Sequence, residues 1–98
     1  MDYTARIDTL TPLILQVHKW ETRNDMLKLH RNMRQLAEKL SKEAVNCRRI
    51  HKPTATFATL DAQFNKEYSE LEQWLTFALL LWFDRIFGLM YNYGLVSS

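Results

Sequence analysis

Residues 26–47 read MLKLHRNMRQLAEKLSKEAVNC, and their spacing decides the fold. Placed on a helix at 100° per residue, Met26, Leu29, Met33, Leu36, Ala37, Leu40, Ala44 and Cys47 fall within about 100° of arc. Most of the Lys, Arg and Glu side chains of the stretch point elsewhere. A single apolar stripe of this width belongs to a helix that lies on a core and shows its other side to water. The helix is expected from about Arg23 to Ile50, with Thr22 as N-cap and Asp25 three residues on, a capping box built with the shorter acid.

Toward the C-terminus, HKPTATFAT at 51–59 holds a proline and three threonines but no helical stripe, and so reads as a linker. A third helix is expected over about 60–93. Phe57, Leu60, Phe64, Tyr68, Leu71, Leu75, Ala78, Trp82, Ile86, Leu89 and Tyr93 keep one face, over a helix of about 50 Å. Gly94 is placed to terminate it. Toward the N-terminus, Tyr3, Ile7, Leu10, Ile14 and Val17 mark a first helix over about 2–20, in which Pro12 either kinks the helix or follows a Thr11 cap. The first stripe cannot run straight into the second, because the nine residues from Val17 to Met26 make two and a half turns and rotate it by about 180°. A break near Trp20 to Thr22 follows. The expected fold class is all-α, a single domain over 1–98. Helices 2 and 3 form a long antiparallel hairpin, and helix 1 packs against it across its open end.

Helix 3 carries more apolar residues than one core face can use. From Trp74 to Val96, seventeen of twenty-three residues are apolar or aromatic, and Asp84 and Arg85 interrupt the run. The charge-free part before them, WLTFALLLWF, has ten residues, where a membrane span needs about 20. Integral membrane insertion is therefore not expected. Leu79, Leu80, Phe83, Phe87 and Met90 fall opposite the core stripe. Helices 1 and 2 cannot cover both sides, unless helix 1 crosses over with Leu13 and Trp20. The outer set is accordingly the candidate protein interface, for self-association or for docking on a larger partner.

Composition narrows the setting. The single cysteine, Cys47, has no partner for an internal disulfide, and no basic segment followed by an apolar signal core opens the chain. A reducing, cytoplasmic location is expected. The net charge of +2 divides unevenly: residues 1–53 hold eleven Lys and Arg against six Asp and Glu, residues 54–98 two against five. On helix 2, Arg31, Arg34, Lys42, Arg49 and Lys52 share about 80° of arc opposite the stripe and form a candidate nucleic-acid face. Glu38 lies inside that strip, four residues before Lys42, and no aromatic residue interleaves to stack on bases.

Catalytic signatures are sparse. Arg23, Asn24 and His30 form R-N-x5-H, which resembles the Arg-x4-6-His element of HEPN-type ribonucleases, an all-helical family. The resemblance implies a cation and a general base sharing one helix face. It covers eight residues, and that family's motif usually lies in a late helix at a dimer cleft, whereas here it opens helix 2. Otherwise Arg23 and His30 are ordinary exposed residues. His18, His30 and His51 lack zinc-site spacing, Cys47 falls on the apolar stripe, and no glycine-rich phosphate loop occurs. No cofactor or metal is expected. The reading is a non-enzymatic helical interaction or regulatory protein, an adaptor, inhibitor or partner-specific chaperone, acting as a homodimer or on a protein partner. A nucleic-acid-binding module is the alternative.

Overall fold

The computed structural model describes residues 2–92 and residue 94. Tyr93 of the expected stripe and the side chain of Met90 lie outside the described residues. Three helices account for the fold: α1 (Tyr3–Trp20), α2 (Asn24–Ile50) and α3 (Ala55–Asn92), with no strand among the described residues.

Local chemistry fixes the ends of each helix. Asp2 caps α1, its carboxylate accepting from the Thr4 N–H at 3.0 Å. The helix runs without a break through Pro12, so a second cap at Thr11 is not used. The expected reversal comes at 21–23, but the residue before α2 is Arg23, without a side-chain cap, and Thr22 is not the N-cap. The stop of α2 is sharper than the linker reading allowed. His51 takes the left-handed conformation with φ 60°, and the His51 and Lys52 N–H groups return to the Cys47 carbonyl. Glycine usually fills that position, and histidine is among the side chains that tolerate it. Helix α3 then starts at Ala55, five residues early, because Thr54 Oγ1 accepts from the Phe57 N–H at 3.0 Å and caps it. The linker is therefore 51–54. Gly94, with φ 70°, returns its N–H to the Tyr91 carbonyl just past the end of α3.

Helices α2 and α3 form the antiparallel hairpin. Helix α1 packs against both, lying lengthwise along the hairpin with only its last turn near the open end. Tyr3, at the start of α1, meets Phe64 edge to face at 5.1 Å and donates its hydroxyl to Asp61 at 2.6 Å. Burial and that hydrogen bond push the Tyr3 phenol up to about 12. At the other end of α1, Trp20 stacks on Trp82 at 4.1 Å with 9° between the rings. Helices α1 and α3 are thus parallel, and α2 opposes both.

The core is the one the stripes define: Ile7, Leu10, Ile14 and Val17 from α1, Met26, Met33, Leu36, Ala37 and Leu40 from α2, and Phe64, Leu71 and Leu75 from α3. Cys47 is half-buried, 3.7 Å from the Thr54 hydroxyl. The molecule is a rod of 64 × 25 × 17 Å. Helix α3, with 38 residues against 27 in α2, is longer by about 16 Å.

Candidate functional site

Cover on α3 stops where its partners stop. The bundle closes at the Trp20–Trp82 stack, and Arg85 lines the same shallow hollow with Trp20, Glu21 and Arg23. Ile86 is the last half-buried residue among those described. Residues 83–92 extend about 15 Å along the axis, mostly beyond the other two helices. Leu89 was expected on the core face and is exposed, because no helix reaches it.

The candidate interface is partly as the sequence places it. Leu80, Phe83 and Phe87 are exposed by 62%, 52% and 58%. Leu79 is half-buried at the flank and is not an open part of the face. Phe77, Leu81 and Tyr91 are also more than half exposed, and sequence reasoning missed them. Phe77 precedes Leu80 by three residues and Tyr91 follows Phe87 by four, which puts both on the same arc. The arc of Phe77, Leu80, Phe83, Phe87 and Tyr91 spans about 120° and points away from the core. N-terminal to it, Ser69, Glu72, Gln73 and Thr76 continue the surface as a shallow open groove up to Phe77 and Leu80. No helix of the described residues is long and apolar enough to cross a membrane.

The basic strip on α2 is exposed at Arg31, Arg34, Lys42 and Arg49, but it is not continuous. Arg34 Nε lies 3.7 Å from Asp8 of α1, and Arg49 donates to Asn46 at 2.7 Å. Lys52 stands beyond the end of the helix, in the turn after His51, and does not share the helical face assigned to it. Glu38 is exposed within the strip. Among the described residues the ion pairs within 4.0 Å are Arg34–Asp8 and Arg23–Glu21.

The Arg23 and His30 pair turns to different neighbours. Arg23 lays its guanidinium over the Trp74 ring of α3 at 4.1 Å. His30 is buried, contrary to the expectation of an exposed residue, with Nε2 3.1 Å from the Thr11 hydroxyl of α1. Burial, reinforced by the Arg34 charge, holds the imidazole below its ordinary value. It fills the α1–α2 seam. Arg6 plays a similar supporting part, its guanidinium 4.7 Å from the Tyr68 ring and 5.1 Å from that of Phe64. The sequence pattern counts such arginines as free surface charge and gives no sign of the rings beneath them. No group of three or more His, Cys, Asp or Glu among the described residues could hold a metal ion.

No protein-family model, curated protein or solved structure matches this chain.

Proposed function

We propose that this chain is a non-enzymatic interaction protein whose three-helix bundle presents the outer face of α3 to another protein, in the manner of an adaptor, inhibitor or partner-specific chaperone of the reducing cytoplasm. One observation carries the reading. Phe77, Leu80, Phe83, Phe87 and Tyr91 are each 52–62% exposed on the side of α3 away from the core, along about 21 Å of the helix. Monomers rarely leave a contiguous patch of that size open. Covering the exposed portions would stabilise a complex by roughly 4–9 kcal/mol as an upper bound, comparable with the lower part of the roughly 4–15 kcal/mol that association costs.

A membrane-surface role fits less well. Interfacial helices carry a Lys- and Arg-rich polar face, and between Gln73 and Asn92 the charges are one Asp and one Arg. The nucleic-acid reading of α2 keeps Arg31, Lys42 and Arg49 as its contacts, but no Phe, Tyr or Trp interleaves with them along the helix to stack on a base. Capture from the native host separates these readings. Phe83→Glu combined with Phe87→Glu should abolish capture of protein, and reversal of Arg31, Arg34 and Arg49 to Glu should not. Capture that survives the first variant and fails with the second would reject the proposal for the nucleic-acid module.

A further inference from the structure

We draw no further inference here: the strongest candidate, the exposed apolar arc of Phe77, Leu80, Phe83, Phe87 and Tyr91 on the outer side of α3, belongs to the site already described, and nothing in the structure shows what covers it.

Discussion

Leu40 has no solvent exposure and sits at the middle of the α2 stripe, so Leu40→Asp is a sharp probe of the core. The cost can be built from parts. Losing the buried leucine forfeits roughly 2–3 kcal/mol of apolar burial. The new carboxyl cannot stay ionised there, and holding it neutral at pH 7 against an ordinary value near 3.9 costs about 4 kcal/mol. Leaving the neutral acid without partners adds roughly 1–3 kcal/mol. The total of roughly 7–10 kcal/mol is comparable with the whole stability of a domain this size, about 5–15 kcal/mol. Leu40→Asp should therefore be unfolded or nearly so at pH 7 by circular dichroism, and Leu36→Asp should follow it. Lys42→Ala, on the exposed side, should stay within about 0.5 kcal/mol of the parent. If both aspartate variants melt within a few degrees of the parent, the packing of α2 described above is wrong.

Reversing Arg31, Arg34 and Arg49 to Glu should leave helicity intact, since exposed charges contribute about 0–1 kcal/mol each; a loss of ellipticity would make them structural. Thr54→Ala removes the N-cap of α3 and the 2.7 Å hydrogen bond to Glu43, and should cost about 1–2 kcal/mol in urea denaturation, with Thr54→Ser retaining most of it. His30 titrates below its ordinary 6.5 in the folded chain, so the unfolded chain takes up the proton first as pH falls. Stability contributed by neutral His30 is complete above that value and declines as pH drops below it. Urea midpoints for the parent and His30→Gln should diverge in their pH dependence near pH 6, and identical slopes would contradict the buried, neutral histidine.

Much of this fold is legible because each stripe answers one question, namely which side of a helix must leave water. Ile7, Leu10, Ile14 and Val17, or Met33, Leu36 and Leu40, are periodic and uninterrupted, and all are buried. Ends were harder. The sequence carries no glycine at 51, and the left-handed histidine there depends on carbonyls that periodicity does not describe. Likewise Thr54, amid a Pro- and Thr-rich stretch, caps a helix that the missing stripe seemed to postpone. The site suffered from a different omission. Periodicity shows that Leu89 shares the face of Leu75 and Trp82, but not that the neighbouring helices run out before reaching it. Where cover ends is set by the relative lengths and stagger of three helices. That stagger, fixed by Tyr3 on Asp61 and Trp20 on Trp82, is a tertiary fact.

If α3 works through its outer face, that face is covered in solution. Multi-angle light scattering after size exclusion, on the parent and on Phe83→Glu with Phe87→Glu, tests this most directly. The parent should elute above the mass of one chain, with itself or with a captured partner, and the variant as a single chain with unchanged helical ellipticity, because two carboxylates would have to enter a desolvated contact. A parent already at the mass of one chain, with the variant indistinguishable from it in mass and in partner capture, would contradict the account.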